Sequence, residues 1–358
     1  MTALDARPVG VPAPAPVVPD VAAVRRARRG PRRRHALVVA GTGAATLTAL
    51  VVNLLLGDYT FTFPDAARII AGVGIDRPTA EFLMMEQKLP RALAALCVGL
   101  CFGAGGAVFQ TVLRNPLASP DIVGISTGAS AAAVFALLAL GLRGDVVALA
   151  AAVGAVLTAL VVRWVAGGIG SYRLVLVGVG LSAALLSVVH YLFTRAAVWD
   201  AQLALRWLTG SVAGSGWPEV RVLAIVLVVL LPVLWWSARS LRITELGTDA
   251  ATGLGVTSRR AELLMLVAVL LVAAGVAGAG PVSFLAFLSG PIARGLNAGR
   301  TSIVGAALVG ATLLLAADFT GQYLIGTVNV PAGVLTGAVG APFLLWLMAR
   351  GASGRSPR

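Results

Sequence analysis

Few side chains in this sequence could do chemistry, and most of them lie far apart. Cys97 and Cys101 are four residues apart in one apolar run and share a helix face. Two thiols are too few for a structural zinc site, and this helical spacing is awkward for a disulfide. We interpret them as small core residues. His35 and His190 are distant from each other and suggest no metal site.

The charged side chains also limit the classes of function that the sequence allows. Lys88 is the only lysine, and its context "EQKLP" does not fit the G-x-x-x-x-G-K-[ST] phosphate loop of an ATPase. Ion-coupled carriers usually hold ionisable residues in mid-membrane, but here only Asp318 lies clearly inside an apolar run. We interpret Asp318 as a hydrogen-bond partner in helix packing rather than a substrate ligand. No acid–base or nucleophilic arrangement is recognisable, so the sequence predicts a protein without catalytic activity.

Composition defines the elements that carry these residues. Of 358 residues, 58% are hydrophobic and 12% are charged, and the mean hydropathy is +0.91. A bilayer core of about 30 Å needs about 20 apolar residues in a helix. Ten runs approach this length, of which residues 283–296 form the shortest. The sequence therefore predicts an all-α polytopic membrane protein with about ten transmembrane helices.

The basic residues give this bundle an orientation. With the N-terminus in the cytoplasm, 20 of the 28 basic residues fall on the cytoplasmic side, as the positive-inside rule requires. Both termini are therefore expected inside. The net charge of +13 is concentrated in "RRARRGPRRRH", an orientation signal that would also contact anionic lipid, which argues against nucleic-acid binding. We expect a disordered, basic leader over 1–35, a transmembrane domain over 36–350 and a cytoplasmic tail over 351–358.

Two segments suggest an internal repeat. "GAGGAVFQTVLRNP" (Gly103–Pro116) and "GAGPVSFLAFLSGP" (Gly278–Pro291) agree at six of fourteen positions without gaps. The predicted topology runs them in opposite directions through the membrane. Inverted repeats are a frequent way to build a transporter, so an inverted repeat is predicted here.

Polar connections on both sides predict short helices and partner surfaces. Outside, Pro64 can open a short helix. Inside, residues 237–260 are long enough for an amphipathic helix over Thr244–Leu254, with Leu246 and Leu254 on one face and Gly255 at the C′ position. Such a helix has little of its own chain to pack on, so we expect it to dock on a partner.

At this point the sequence becomes recognisable. The stretch "KLPRALAALCVGLCFGAGGAVFQTVLRNPLASPDIVGISTGAS" resembles a signature of the iron-chelate and vitamin B12 permeases, ABC importers of the FecCD type. Further matching blocks follow in order, among them "YRLVLVGVGLSA", "ELGTDAATGLGV" and "VPAGVLTGAVGAPFLLWL". The resemblance implies a ten-helix type II importer permease that pairs with a second permease. It also implies two ATPase subunits beneath and a substrate-binding lipoprotein outside. ATP would be bound by the ATPase, so this chain would hold no cofactor.

The resemblance also implies roles for particular residues. Lys88 and Arg91 match basic positions that meet the binding protein, with ordinary interfacial snorkelling as the alternative. The cytoplasmic gate would comprise Asn115, Pro116, Leu117, Ser171 and Tyr172. The helix that couples to the ATPase would include Glu245, Leu246, Gly247, Ala251, Leu254 and Gly255.

Departures from the family pattern bear on cargo and partner. Gly290-Pro291 stands where the family often has Pro-His, and Gln322 replaces a basic docking position. The block "PVSFLAFLSGPIARGL" is more similar to the ferric-enterobactin (catecholate) branch, which uses two different permeases, so we expect a heterodimer. The expected function is ATP-driven import of a ferric siderophore across the cytoplasmic membrane. Import of B12 or haem, or ion-coupled secondary transport, are the alternatives, with a membrane-embedded enzyme the more remote one.

Overall fold

A computed structural model describes residues 21–75, 77–168, 172–245, 247–326 and 329–353. Within these ranges the regular structure is entirely helical. The α-helices are α1 Val21–Leu55, α2 Phe63–Ile70, α3 Pro78–Phe82, α4 Leu89–Val112, α5 Ile125–Leu138, α6 Asp145–Ala166, α7 Tyr172–Thr194, α8 Val198–Leu208, α9 Trp217–Thr244, α10 Thr248–Gly253, α11 Ser258–Ala279, α12 Leu285–Leu296, α13 Ile303–Tyr323 and α14 Ala332–Ser353.

The ten predicted spans correspond to helices of two lengths. Among the described residues, eight helices are long and apolar enough to cross a membrane. Two shorter apolar helices, α5 and α12, complete the ten. The expected membrane-protein fold is therefore confirmed.

Both ends of the domain differ from the expectation. Helix α1 begins at Val21, so residues 21–35 are helical rather than disordered. This stretch is rich in Ala and Arg, which have high helix propensity. At the other end α14 continues to Ser353, past the predicted boundary at 350. Residues 1–20 and 354–358 lie outside the described residues.

Helix α4 is the central element of the bundle. It continues α3 and a π-helical turn, Leu83–Lys88, so that residues 78–112 form one helical segment that is mostly buried. Helices α9, α11, α12 and α13 all pack against it. A Cβ on Gly99 would overlap the backbone of α13, and one on Gly106 would overlap the carbonyl of Ala286 in α12. Glycine is required at both positions because the helix backbones touch.

The short helices α5 and α12 each follow a tight turn. The residue before α5 is Gly124, with φ 89°, and the residue before α12 is Phe284, with φ 61°. A left-handed phenylalanine is strained, because its Cβ crowds the backbone. Arg114 and Ala298 also have positive φ, 50° and 53°. Among the described residues, the three non-glycine residues with positive φ therefore all lie in turns next to α5 or α12.

The two segments of the suspected repeat differ in local conformation. Gly103–Pro116 is helical as far as Val112, whereas Gly278–Pro291 is interrupted by the turn between α11 and α12. Their similarity is therefore one of sequence rather than of local backbone. The segments contact each other, since α12 packs on the second half of α4.

Short helices outside the bundle follow the turn chemistry of their sequences. Pro64 lies in the first turn of α2, as predicted, and the Thr62 side chain caps that helix by accepting a hydrogen bond from the Asp65 N–H. In the segment predicted to be cytoplasmic, α9 extends to Thr244 and α10 begins only at Thr248. The expected helix over Thr244–Leu254 is thus corrected to a six-residue helix. Gly247 interrupts it with φ 107°.

Candidate functional site

An ion pair joins the first turn of α4 to the last turns of α13. Arg91 donates from Nε and Nη2 to the two carboxylate oxygens of Asp318, at 2.9 and 2.8 Å. The Asp318 side chain is 3% exposed and that of Arg91 is 18% exposed. This two-pronged geometry is the strongest form of the interaction. Asp318 is therefore a helix-packing partner, as predicted, although its partner was not foreseen.

Lys88 closes the C-terminal end of α1. Its Nζ donates to the carbonyl oxygens of Leu56 and Tyr59, at 2.6 and 2.9 Å, and more weakly to that of Leu54, at 3.3 Å. Nζ also lies 5.3 Å from the centre of the Phe61 ring. Leu54 lies in the last turn of α1, and Leu56 and Tyr59 follow it, so the ammonium group joins the helix end to the loop after it and complements the helix dipole.

These two cations border a polar cavity at one end of the bundle. The cavity measures about 340 Å³ and is also lined by Gln322 and Tyr323. Lys88 and Arg91 are thus brought together, as the docking prediction requires. Both side chains nevertheless donate hydrogen bonds to acceptors within their own chain, so neither projects freely toward a partner protein. The docking role stays a prediction.

The predicted gate segment forms a compact turn between α4 and α5. The Asn115 side-chain oxygen accepts from the Leu117 N–H at 2.9 Å, and the Asn115 N–H donates to the Gln110 carbonyl at 3.0 Å. Asn115 and Pro116 are exposed, and Leu117 is half-buried. Ser171 lies outside the described residues, and Tyr172 begins α7 with a side chain that is not described.

A cavity of about 630 Å³ opens beside this turn. It is lined by Leu117 and Asp121, by hydroxyl groups of α5 and by apolar residues of α7, α12 and α14. The Asp121 carboxylate accepts a hydrogen bond from the Ser126 hydroxyl. Burial raises the pKa of Asp121, and the bond from Ser126 opposes that rise. A buried carboxyl group with a raised pKa therefore borders the cavity.

The predicted coupling segment is a short helix with glycine at both ends. Gly247 precedes α10, and Gly255 follows it with φ 81°, which confirms the C′ position expected there. The Val256 N–H donates to the Ala251 carbonyl at 2.9 Å and closes the helix end. Ala251 is buried and Leu254 is 61% exposed. Leu246 lies outside the described residues.

One steric contact and one electrostatic interaction connect the coupling segment to the turn after α4 and to α12. A Cβ built on Gly247 would lie 3.3 Å from Nη1 of Arg114, so that guanidinium rests against the segment. Glu245, which ends α9, acts electrostatically on Arg294 of α12. Movement of residues 245–247 would therefore reach both the turn after α4 and the body of α12.

Arg294 belongs to a polar chain that sequence reasoning missed. Its Nη2 donates to the Gln110 side-chain oxygen at 2.6 Å, and Gln110 donates to the Phe287 carbonyl at 3.0 Å. Arg294 Nε and the side-chain oxygen of Asn297 are buried without a hydrogen-bond partner among the described residues. A buried glutamine in α4 and an arginine in a short apolar helix were the available signals. Pairing them requires knowing that α4 packs on α12.

The remaining candidate groups are the two cysteines and any cluster of side chains that could bind a metal ion. Cys97 and Cys101 are buried in α4, which confirms their interpretation as core residues. In the part of the chain that the structure describes, no group of three or more His, Cys, Asp or Glu side chains could hold a metal ion.

Comparisons with known proteins agree with the resemblance read from the sequence. The model of the FecCD transport family matches residues 45–350. The ferric enterobactin transport system permease protein FepG of Escherichia coli K12 is 37% identical over 310 residues, covering 85% of this chain and 93% of that protein. A probable siderophore transport system permease protein of Bacillus subtilis 168 is 35% identical over 324 residues, covering 87% and 93%.

Solved structures support the fold. An inward-facing ABC transporter of the metal-chelate type has a TM-score of 0.76 and 24% identity, over 87% of this chain and 99% of that chain. At 24% identity, the similarity to this structure supports the fold alone. The family match covers most of the chain, and the sequence relatives cover most of their own length. The chain belongs to the FecCD transport family.

Proposed function

We propose that this chain is the permease subunit of an ATP-driven importer that moves a ferric siderophore across the cytoplasmic membrane. The observation that carries the proposal is the match with the ferric enterobactin permease, which extends over 93% of that protein. Relatives named for Fe(3+) dicitrate and achromobactin transport point to the same class of cargo. The chelate would pass intact by alternating access, with no chemistry done on it.

The proposed mechanism uses the contacts at the cytoplasmic end of the bundle. ATP closure of two ATPase subunits would displace the segment Glu245–Gly255. Arg114 rests against Gly247, and Arg294 senses Glu245, so the displacement would reach the turn Asn115–Leu117 and α12. Ser171 and Tyr172 would complete the gate from the start of α7. In this proposed arrangement the N- and C-termini would both lie in the cytoplasm.

Further subunits would complete the transporter. Exposed apolar side chains on α7 and α14, such as Leu176 and Leu345, suit a second permease, for which we favour a homologous but different chain. A substrate-binding lipoprotein would dock at the end that carries Lys88 and Arg91. Asp318 balances the charge of Arg91, so Lys88 would supply most of the positive potential that speeds association.

Uptake of iron-55 chelates by a strain that lacks this gene tests the cargo. We expect the chain to restore uptake of a catecholate chelate. Restoration of B12 or haem uptake alone would contradict the siderophore assignment. A partner ATPase with an inactivated phosphate loop provides the second arm, because uptake that persists there would indicate an ion-coupled carrier.

Co-purification tests the coupling segment. Leu246→Asp with Leu254→Asp would place charges on the proposed docking face, so we expect recovery of the ATPase with the permease to fall. Leu296→Asp is a matched control, because Leu296 is exposed at the end of α12. Equal recovery of the ATPase with both proteins would refute the assignment.

A further inference from the structure

A long apolar groove runs between α6 and α9 on the side of the bundle that would face lipid. Both helices pack on α11, which forms its floor. The groove has a volume of about 640 Å³, and its lining is almost entirely apolar. Small side chains of α11, including Ala274 and Ala277, keep the floor low. Large exposed side chains, such as Leu149 and Ile225, form the walls.

The groove has the depth of one leaflet. Its lining extends from Asp145 to Val156 along α6 and from Pro218 to Leu230 along α9. At 1.5 Å per residue these stretches measure about 16 to 18 Å. Half of a bilayer core of about 30 Å is close to this length. An acyl chain would therefore fill the groove from the membrane surface to the midplane.

A polar cavity of about 520 Å³ continues the groove at the membrane surface. The two share Asp145, Ala148 and Glu219 on their boundary. The polar cavity lies at the same end of the bundle as Lys88, because Ser215 lines both this cavity and the one that Lys88 borders. Trp207 also lines it, and tryptophan is enriched at the interface between membrane and water.

The charges of this polar cavity come in both signs. Arg143 and Arg206 supply two guanidinium groups. Arg143 uses one nitrogen on Asp200, at 2.5 Å, while Arg206 is exposed and enters no ion pair with a described residue. Opposite them, Asp145 is exposed, and Glu219 uses one oxygen to accept from the Gly216 N–H at 2.8 Å. Asp200 balances Arg143, so the mouth offers Arg206 as a cation and Asp145 and Glu219 as anions, which match a zwitterion better than an anion.

We propose that the groove and its polar mouth together bind one phospholipid with an ethanolamine headgroup. An acyl chain lies between α6 and α9, the phosphate contacts Arg206 and the free nitrogens of Arg143, and the primary amine donates to Asp145 and Glu219. A primary amine carries N–H donors that a choline headgroup lacks. The site is independent of the cargo and of the ATPase.

Native mass spectrometry of the full-length, delipidated permease tests the proposal. The protein is offered equal amounts of phosphatidylethanolamine, phosphatidylglycerol and phosphatidylcholine with identical acyl chains. We expect the ethanolamine lipid to be retained preferentially. Arg206→Gln should lower its retention about fivefold, since an exposed ion pair with the phosphate is lost. Asp145→Asn should shift the preference toward the glycerol lipid.

A variant with a larger side chain in the groove tests the position of the acyl chain. Ala274→Leu should reduce retention of all three lipids, and Ala45→Leu, on an exposed face of α1, should leave it unchanged. Equal retention of the three lipids by the unmodified protein would overturn the proposal, as would retention unaffected by Arg206→Gln. Arg206 and Asp145 are exposed, so those two variants decide the matter even where Ala274→Leu fails to fold.

Discussion

The two ends of α4 hold cations in opposite ways. At the end that carries Lys88, both basic side chains are satisfied: Arg91 by Asp318, and Lys88 by the carbonyl oxygens that end α1. At the other end, Arg294 reaches Gln110 but keeps a buried nitrogen without a partner, and Arg114 has a left-handed backbone. Charged groups whose hydrogen bonds are all made stabilise a single arrangement of the helices. Unsatisfied groups and strained backbone are typical of elements that switch between two arrangements. We infer that the Lys88 end is an anchor and that the Arg294 end moves.

The largest effect is expected from breaking the anchor. Asp318→Ala would leave Arg91 without its partner in a largely buried position, and we expect a loss of about 3–5 kcal/mol in the free energy of unfolding. Thermal unfolding of the purified protein measures it. The double variant Arg91→Met, Asp318→Leu is the control and should recover most of the loss, since no charge is then stranded. Full stability of Asp318→Ala would contradict the anchor.

Close packing in the same half of α4 should contribute next. Gly99→Ala would force α4 and α13 apart, at a cost of about 1–3 kcal/mol. Gly180→Ala in α7 is a matched control, because a Cβ there meets nothing within 4 Å. It should be neutral or stabilising by up to about 1 kcal/mol. Similar unfolding temperatures for the two variants would show that the contact with α13 is not tight.

The moving end should respond in transport more than in stability. Arg294→Met leaves the buried Gln110 oxygen without its donor, so we expect a loss of about 1–3 kcal/mol in the free energy of unfolding, no more than for Gly99→Ala. Uptake should fall about 3- to 30-fold, the range expected when a coupling network is altered. Arg300→Met, an exposed change just beyond α12, serves as the control. Unchanged uptake with Arg294→Met would remove this residue from the coupling path.

The smallest effect is expected at Asp121. Its folded pKa lies above the ordinary value of 3.8, so the folded chain binds this proton more tightly than the unfolded chain does. Stability should therefore decrease as the pH rises from the ordinary pKa through the raised one. Asp121→Asn should flatten that dependence. Ser126→Ala, which removes the opposing hydrogen bond, should extend it to higher pH. Identical profiles of unfolding temperature against pH for all three proteins would contradict this assignment.

Much of the helical framework could be predicted from sequence because it depends on local properties. Apolar runs of span length identified the helices, Pro64 marked the start of α2, and Gly255 marked the end of α10. Helix ends set by weaker preferences were missed. The helix from Val21 and the late start of α10 depend on the balance of propensity and glycine strain over a few residues.

Contacts within the candidate site could be predicted only in part. The family resemblance indicated which segments matter, and Asp318 stood out as an acid within a span. Its partner, Arg91, is 227 residues away, and Gln110 meets Arg294 across 184 residues. Neither pair follows from periodicity, because the sequence of one helix does not determine which neighbour its polar face will meet.

The dense packing between α4 and α13 also has a consequence in time. About 190 residues separate the end of α4 at Val112 from the start of α13 at Ile303. At about 5–20 residues per second, the ribosome needs on the order of ten to forty seconds to make that stretch. Throughout this interval, the glycine-rich face of α4 lies in the membrane uncovered, because α13 has not yet been made. The nascent chain is then most open to quality-control proteases, so variants at Gly99 should be found first as low abundance in the cell.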